Sequence, residues 1–327
     1  MQIAALVVDG MFDTGLAAVL DTLAMANELG EQMQIGPLFS VTIVGVRKRV
    51  TTQQGFRIPT VHVSEVAQPD LTIVPALGAK SPSALTEALR RRDVRDACHQ
   101  LVTWHEGGGV AAAACTGVYA LASSGLLDGL RATTSWWLGP DFRQRFPAVH
   151  LDDTHMVIAE PRCITAGAAL AHVDLALWLV RQKSPVLART TSRYLLIEGR
   201  PSQSSYAMTD HLAHADPLVE EFERWARMHL ADFTMSRAAR AVGASERTLE
   251  RRLRKVLGRT PIAYVRELRI EQAIHRLETT SDSVECIAEA VGYGDGTTLR
   301  TLLRKHTGRG IRDLRYGGHG ADLADGP

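Results

Sequence analysis

The sequence predicts two domains: an α/β doubly wound domain over residues 1–185 and an all-α domain over residues 216–316. In the first, short continuous apolar runs alternate with helical patterns, as in parallel sheets whose strands are buried on both faces. In the second, only helical patterns follow one another, and one motif occurs twice. The polar segment 186–215 is predicted to connect the domains, and the tail 317–327 is predicted to be disordered.

The elements of the first domain can be placed in order along the chain. Buried strands are predicted at IAALVVD (3–9), FSVTIVGV (39–46), LTIVPA (71–76) and VAAAA (110–114). Helices are predicted at about 14–28, 84–106, 117–124 and 169–182. A small hairpin over 50–59 is predicted to turn at Gly55. In such a fold, ligands bind at the carboxyl ends of the strands.

The second domain begins with a helix over 216–230, for which Asp216 supplies the cap, and then contains a duplicated motif. Ala-Val-Gly recurs at an offset of 49 residues. At an offset of 50, the residues that recur are Thr248, Leu249, Leu253, Arg254, Lys255, Gly258 and Arg259. Each copy predicts a short helix, a glycine-containing turn and a second helix with a leucine face, which is the helix-turn-helix plan.

The polar faces of the two second helices suit contact with DNA. Arginine can bond bidentately to guanine, threonine can contact thymine methyl groups, and flanking basic residues suit phosphates. The candidate DNA-binding residues are Arg247, Thr248, Arg251, Arg252, Arg254, Lys255, Thr297, Thr298, Arg300, Thr301, Arg304 and Lys305. Residues 216–316 hold 19 basic and 15 acidic residues, although the whole chain has a formal net charge of only +1. The alternative is a helical bundle with solvated arginine faces, but the matching glycine turns favour the DNA-binding interpretation.

This second part resembles the AraC/XylS family of transcription regulators over about 216–316. The resemblance is carried by ASERTLERRLRKVLGRTPIAYVRELRIEQAIHRLE (244–278) and IAEAVGYGDGTTLRTLLRKHTGRG (287–310). It implies double-stranded promoter DNA as a partner, a homodimer on repeated half-sites, and RNA polymerase as a further partner if the protein is an activator. The chain departs from the family in having Leu299 and Leu303 at usually aromatic positions, and Gly310-Ile311 in place of Ser-Pro.

The first part resembles the ThiJ/PfpI, or class I glutamine amidotransferase-like, domain, whose fold is flavodoxin-like. The resemblance is carried by VVDGMFDTGLAAVLDTLAMAN (7–27), AAAACTGVYALASSGLLDGLRATTSWW (111–137) and CITAGAALAHVDLALWLV (163–180). Regulators of the GlxA type join such a domain to an AraC-type tail. The joint resemblance implies a DNA-binding transcriptional regulator, expected to be an activator, whose first domain senses a small metabolite, dimerises, or does both.

Cys115 stands at the nucleophile position of the enzymes with this fold, but the groups that would activate it are replaced. The next residue is often His in the enzymes and is Thr116 here, whereas Ser135 stands where related regulators often carry His. The acid that the enzymes place near the cysteine corresponds to Gly15. Histidines outside any recognisable motif occur at positions 62, 99, 105, 150, 155 and 172. We therefore predict no catalysis, with a cysteine-dependent amidase or hydratase carrying an accessory DNA-binding domain as the alternative.

The strand-to-helix turn at Cys115 is predicted to be a ligand site instead. Backbone N–H groups of Thr116 and Gly117 could bind a carboxylate at a helix N-terminus, and Trp136 could stack on a ligand. The candidate ligand-binding residues are Gly10, Phe12, Gly78, Cys115, Thr116, Gly117, Ser135 and Trp136. The resemblance implies an amino-acid or quaternary-amine metabolite as the effector.

Cysteine usage and hydropathy complete the expectations. The four cysteines show no CxxC spacing or histidine cluster, so neither a metal site nor another cofactor is predicted. No uncharged apolar run reaches eighteen residues, so no membrane span is predicted. A reduced, cytoplasmic location is expected.

Overall fold

A computed structural model describes residues 1–197, 202–203, 216–308 and 310–316. The chain forms two compact units, Met1–Ser204 and Ser205–Pro327. The first is α/β and the second is helical, which confirms the predicted fold class. The tail 317–327, predicted to be disordered, lies outside the described residues, as does most of the predicted connecting segment. Among the described residues, no helix is long and apolar enough to cross a membrane.

Within the described residues, the first unit is built on a seven-stranded sheet with two small two-stranded sheets beside it. The strands are β1 (Gln2–Leu6), β2 (Ser40–Gly45), β3 (Arg49–Thr51), β4 (Arg57–Pro59), β5 (Val61–His62), β6 (Leu71–Val74), β7 (Val110–Ala114), β8 (Arg131–Ala132), β9 (His150–Leu151), β10 (Val157–Glu160) and β11 (Cys163–Ala166). The main sheet has the order β10-β11-β7-β6-β1-β2-β5, and all its pairs are parallel except β10 with β11. The four predicted buried strands are β1, β2, β6 and β7. The predicted hairpin is β3–β4, and Gly55 in its turn has a φ of +88°.

The helices of the first unit cover both faces of this sheet. They are α1 (Asp13–Gln32), α2 (Pro82–Arg90), α3 (Arg92–Glu106), α4 (Val118–Ser123), α5 (Gly139–Arg145), α6 (Ala171–Lys183) and α7 (Pro185–Tyr194). One core lies where α1, α6 and α7 pack against the strands, and it includes Leu23, Ile73, Ala112, Leu175 and Leu187.

The helix predicted over 84–106 is instead two helices, α2 and α3, which meet at Arg91. That residue has extended backbone angles, φ −63° and ψ 144°. Its guanidinium donates to both carboxylate oxygens of Asp93, at 3.1 and 2.9 Å, and to the carbonyl oxygen of Asp9. These bonds stabilise the break and hold the loop that follows β1, a long-range contact that helical periodicity does not reveal.

The first unit extends beyond the predicted boundary at residue 185. Residues 185–194 form α7, whose Leu187, Ala188 and Thr191 are buried against α1 and α6. Further along, Gln203 is buried in the same unit with 1% of its surface exposed. The start of the segment predicted as a connection is therefore part of the first core.

The second unit contains the two predicted helix-turn-helix motifs. Its helices are α8 (Pro217–Met228), α9 (Met235–Ala241), α10 (Glu246–Leu257), α11 (Pro261–Thr279), α12 (Val284–Ala290), α13 (Gly296–Thr307) and α14 (Ile311–Tyr316). The turns between α9 and α10 and between α12 and α13 contain Gly243 and Gly292, whose φ values are +63° and +88°. One small core surrounds α9 and α10, a second surrounds α12 and α13, and α11 contributes one half of its length to each.

Candidate functional site

The second helix of each motif begins and ends in the same way. Ser245 caps α10, and its hydroxyl oxygen accepts from the amide of Thr248 at 3.1 Å. Asp295 caps α13, and its carboxylate accepts from the amide of Thr298 at 2.7 Å. Each helix stops at a glycine in the left-handed region, where a side chain would be strained. The repeat in the sequence therefore encodes two helices with matching ends.

Leucines fix which face of each helix remains outside. Leu249 and Leu253 in α10 and Leu299 and Leu303 in α13 are completely buried. Leu299 and Leu303 occupy the positions that are usually aromatic in the AraC/XylS family, and here they pack in the core of the second motif. The opposite face of each helix is consequently presented to solvent.

That outer face carries most of the predicted DNA-binding residues. The exposed ones are Arg247, Arg251, Arg254, Lys255, Thr297, Thr298, Arg300, Thr301, Arg304 and Lys305. Within the part of the chain that the structure describes, Arg251 and Arg304 form no ion pair. Their guanidinium groups are available to hydrogen-bond acceptors on base edges or phosphates.

Two of the other arginines pair with acids on the same surface. Arg254 contacts Glu250 at 2.9 Å, and Arg300 of α13 contacts Glu285 of α12 at 2.9 Å. The pKa of Glu285 is lowered by its own backbone amide and by Arg300. The Arg300–Glu285 pair holds the arginine at a defined position, which the spacing of the motif does not predict.

Three of the residues predicted to contact DNA have partners within the protein. Arg252 lies 2.7 Å from Asp216, whose carboxylate also caps α8, so this side chain joins α10 to α8. Thr248 and Thr298 hydrogen-bond to their cap residues at 2.9 Å. These side chains stabilise the motif as well as lying on or beside its outer face.

At the carboxyl end of β7, the backbone of Cys115 adopts a left-handed conformation, with φ +57°. Such a conformation costs a non-glycine residue about 1 kcal/mol or more and occurs at functional turns. The next turn packs tightly, because a Cβ at Gly117 would lie 2.4 Å from the carbonyl oxygen of Val74. The predicted strand-to-helix turn is therefore present in the geometry expected at a nucleophile position.

The thiol at this turn is not activated. Cys115 Sγ lies 2.9 Å from the hydroxyl oxygen of Ser135, and both residues are buried. Burial raises the pKa of the Cys115 thiol, and its contacts with Ser135 and Thr116 only partly offset this effect. A serine hydroxyl is no base at neutral pH, so Ser135 cannot take the role that a histidine would have there.

His172 bonds to the loop after β6, and both of its ring nitrogens are engaged. His172 is completely buried; its Nδ1 donates to the carbonyl oxygen of Ala169 at 2.6 Å, and its Nε2 accepts from the amide of Ala76 at 3.2 Å. Burial lowers the pKa of His172 to about 4. A Cβ at Gly15 would lie 2.7 Å from His172 Nε2, so the imidazole occupies the space beside the position of the missing acid.

The other predicted ligand residues surround the same edge of the sheet. Gly78 approaches Gly10 so closely that a Cβ would lie 2.0 Å from the Gly10 carbonyl oxygen. The amide of Phe12 donates to the carbonyl oxygen of Ala76 at 2.9 Å. Trp136 is buried and packs edge-on against Trp137, with ring centroids 5.4 Å apart. The structure thus places the candidates at the carboxyl ends of β1, β6 and β7 and in the segment after β8.

Gln203 was missed by the sequence reasoning, which placed it in the connecting segment. Its Nε2 donates to the hydroxyl of Thr133 at 3.0 Å and to the carbonyl oxygen of Thr134 at 2.8 Å, and its Oε1 accepts from the amide of Ala168 at 3.1 Å. Thr134 in turn donates to the carbonyl oxygen of Cys115 at 2.8 Å. Nothing in a polar Ser- and Pro-containing stretch signals such a buried residue.

Within the described residues, no three His, Cys, Asp or Glu side chains come together as they would around a metal ion. The two exposed arginine-bearing helices and the turn at Cys115 define a class of protein. It binds DNA through two helix-turn-helix motifs and carries an α/β domain with a tightly packed strand-to-helix turn at Cys115.

Comparison with known proteins agrees with this class. Residues 238–316 match a family model described as a helix-turn-helix domain. The chain is 28% identical over 313 residues to the HTH-type transcriptional regulator ArgR of Pseudomonas aeruginosa, covering 93% of this chain and 90% of ArgR. It is 31% identical over 183 residues to the HTH-type transcriptional regulator CdhR of the same species. The match covers 54% of each chain, so it spans only about half the length of CdhR.

One solved structure supports the fold of the first unit. A candidate transcriptional regulator protein from Vibrio parahaemolyticus superimposes with a TM-score of 0.50 at 17% identity, covering 60% of this chain and 98% of that chain. At this identity the likeness concerns the fold alone. Together, the matches show a helix-turn-helix domain in residues 238–316 of a chain that is similar over most of its length to a transcriptional regulator, and they agree with the resemblance seen in the sequence.

Proposed function

We propose that the first unit senses a small molecule at the carboxyl ends of its strands, and that its occupancy changes how the second unit binds promoter DNA. The observation that carries the proposal is the turn at Cys115, which has a left-handed backbone and close glycine packing although Ser135 and Gly15 stand where activating groups would be. A strained turn whose thiol has a raised pKa is consistent with a binding role.

The hydrogen bonds of Gln203 support a route from this turn to the rest of the chain. Thr134 bonds both to Cys115 and to Gln203, which lies next to the end of the first unit. A ligand that displaces Ser135 or Thr134 would disturb the hydrogen bonds that hold Gln203. The proposed response therefore needs only a local change, passed along the chain itself.

The effector class proposed is an amino acid or a quaternary amine, and the full chain can be tested with L-arginine and glycine betaine. A compound that binds should raise the unfolding temperature, since a ligand at 100 times its Kd stabilises by about 2.7 kcal/mol. The same compound should alter the affinity for the protein's own promoter region. If neither compound nor any other member of the two classes has either effect, the proposed effector class is wrong.

Two buried cysteines offer a matched pair of variants for that experiment. Cys115→Leu fills the proposed site, whereas Cys163→Leu makes the same change at the start of β11, at the amino-terminal end of the parallel strands. Only Cys115→Leu should abolish the response to ligand while both variants still bind DNA. Equal responses in the two variants would place the effector site elsewhere. Ser135→Ala provides a milder change at the proposed site.

We also propose that Cys115 performs no catalysis. The raised thiol pKa and the engagement of both nitrogens of His172 support this. The left-handed backbone of Cys115 favours the second candidate function, a cysteine-dependent amidase or hydratase. Hydrolysis of simple amides or hydration of nitriles by the purified protein, abolished in Cys115→Ser, would establish that candidate instead.

On DNA, we propose that the protein acts as a homodimeric activator on repeated half-sites. The exposed arginines on α10 and α13 support base reading by both helices of each chain. Sedimentation analysis tests the dimer. Transcription in a purified system with RNA polymerase tests the activator, and reduced transcription on adding the protein would identify a repressor.

A further inference from the structure

The second unit consists of two small cores that share one helix. The amino-terminal half of α11 contributes Val265 and Leu268 to the core around α9 and α10. The carboxyl-terminal half contributes Ile270 and Ala273 to the core around α12 and α13. A single continuous helix would leave the two motifs free to twist and bend relative to each other unless other contacts cross the boundary.

Arg269 lies at this boundary, between Leu268 and Ile270, and its guanidinium reaches the first motif. Nε and one terminal nitrogen donate to the carbonyl oxygen of Leu230, at 3.0 and 2.6 Å. Leu230 follows α8 and belongs to the first core. Charged donors make these bonds stronger than those between neutral groups, and the planar fork fixes the direction of the carbonyl.

The same guanidinium also contacts the second motif. Its central carbon lies 5.5 Å from the centre of the Tyr293 ring, which is within the range of a cation–π interaction. Tyr293 follows Gly292 in the turn between α12 and α13. A Cβ at Gly292 would lie 2.6 Å from the Leu230 carbonyl oxygen and 2.7 Å from an Arg269 terminal nitrogen, so only glycine fits at this junction.

We propose that Arg269 is a positioning residue that fixes the orientation of the two helix-turn-helix motifs, so that α10 and α13 fit successive major grooves of one operator. Successive grooves on one face are about 34 Å apart, and two linked helices bind together only if their spacing matches. The role of Arg269 is exerted on α10 and α13 through Leu230 and the turn at Gly292, and requires no contact with DNA. It is independent of any effector.

The test uses the full-length protein with Arg269→Met and, as a matched control, Arg266→Met. Arg266 is exposed on the same helix and makes no hydrogen bond or ion pair to the described residues, although its charge, like that of Arg269, acts on Tyr293. Its replacement therefore removes a charge near Tyr293 without breaking the hydrogen bonds to Leu230. Binding is measured on the footprinted promoter operator and on duplexes carrying only one of its two boxes. Arg269→Met should lower the affinity for the complete operator by about tenfold or more, and the affinity for a single box by less than about twofold. The difference is expected because only binding to both boxes depends on the orientation of the two motifs.

A distance measurement separates positioning from a general loss of structure. Spin labels at Ser236→Cys on α9 and at the exposed native Cys286 on α12, in a Cys98→Ser background, report the separation of the motifs in the free protein. Arg269→Met should broaden the distance distribution and Arg266→Met should leave it narrow. Arg269→Lys, which keeps the charge and loses the fork, should broaden it as well and serves if the methionine variant fails to fold.

The proposal is overturned if folded Arg269→Met or Arg269→Lys keeps a narrow distribution. It is also overturned if these variants bind the complete operator as tightly as the unaltered protein. Equal losses for Arg269→Met and Arg266→Met on every duplex would show a simple effect of charge and would also reject it.

Discussion

Arg251 and Arg252 are neighbours on α10, and the structure predicts opposite consequences for their replacement by alanine. Arg251 is exposed and has no ion-pair partner among the described residues, whereas Arg252 contacts Asp216 at 2.7 Å. A bidentate contact with a base is worth about 1–3 kcal/mol, so Arg251→Ala should weaken operator binding by about five- to 150-fold without changing stability.

Arg252→Ala should act mainly on stability. Its side chain is 43% exposed, so solvent screens its pair with Asp216, and the expected loss in the free energy of unfolding is about 0.5–1 kcal/mol. Adding Asp216→Asn to Arg252→Ala tests the pair, but this change also weakens the cap of α8. The coupling energy is therefore taken from the full double-mutant cycle.

Urea denaturation followed by tryptophan fluorescence measures stability, and fluorescence anisotropy measures binding to operator and scrambled duplexes at several salt concentrations. If Arg252→Ala, fully folded, lost as much operator affinity as Arg251→Ala, the assignment of Arg252 to a stabilising role would be refuted. Arg251→Ala could instead lower the affinity equally for both duplexes and reduce by about one the slope of log affinity against log salt concentration. Arg251 would then be a phosphate contact and not a base-reading residue.

Three further predictions concern buried groups. The Tyr293 hydroxyl is buried without a hydrogen-bond partner in the described structure, so Tyr293→Phe should keep operator affinity and raise the unfolding temperature. A histidine in the unfolded chain gains a proton near pH 6.5, whereas the buried His172 gains one only near pH 4. The free energy of unfolding should therefore fall by on the order of 3 kcal/mol as the pH is lowered between these values. The fall should be smaller in His172→Asn. Alkylation of the native protein at pH 8 should modify the exposed Cys286 well before the buried Cys115, whose pKa is raised, and mass spectrometry can follow both reactions. Rapid modification of Cys115 would reveal an accessible thiolate.

The fold was predictable wherever periodicity and local signals agreed. Apolar runs located β1, β2, β6 and β7 because strands buried on both faces leave no alternation to misread. The repeat located both helix-turn-helix motifs, whose second helices are α10 and α13. The short strands β8–β11 lack such runs and were not located, and the break at Arg91 depends on a contact with Asp9 that is distant in the sequence.

The sequence predicted which residues the candidate sites contain, but not which distant residues they contact. The sequence showed that Ser135 and Gly15 replace activating groups at Cys115, but not that His172 fills the space beside Gly15. It showed a row of arginines on α10, but not that Arg252 forms an ion pair with Asp216 while Arg251 has no ion-pair partner among the described residues. In both cases the missing information is a pairing between distant residues, which no local pattern carries.

The same reasoning explains why the junction at Arg269 escaped the sequence analysis. A lone arginine in the middle of an amphipathic helix has the pattern of a solvated side chain, and Gly292 has that of an ordinary turn glycine. Only when Leu230 and the turn at Gly292 lie side by side does it become clear that a Cβ has no room and that the guanidinium joins two cores. The duplicated motif thus supplies two DNA-binding surfaces, and the single arginine between them determines whether the two surfaces can act as one.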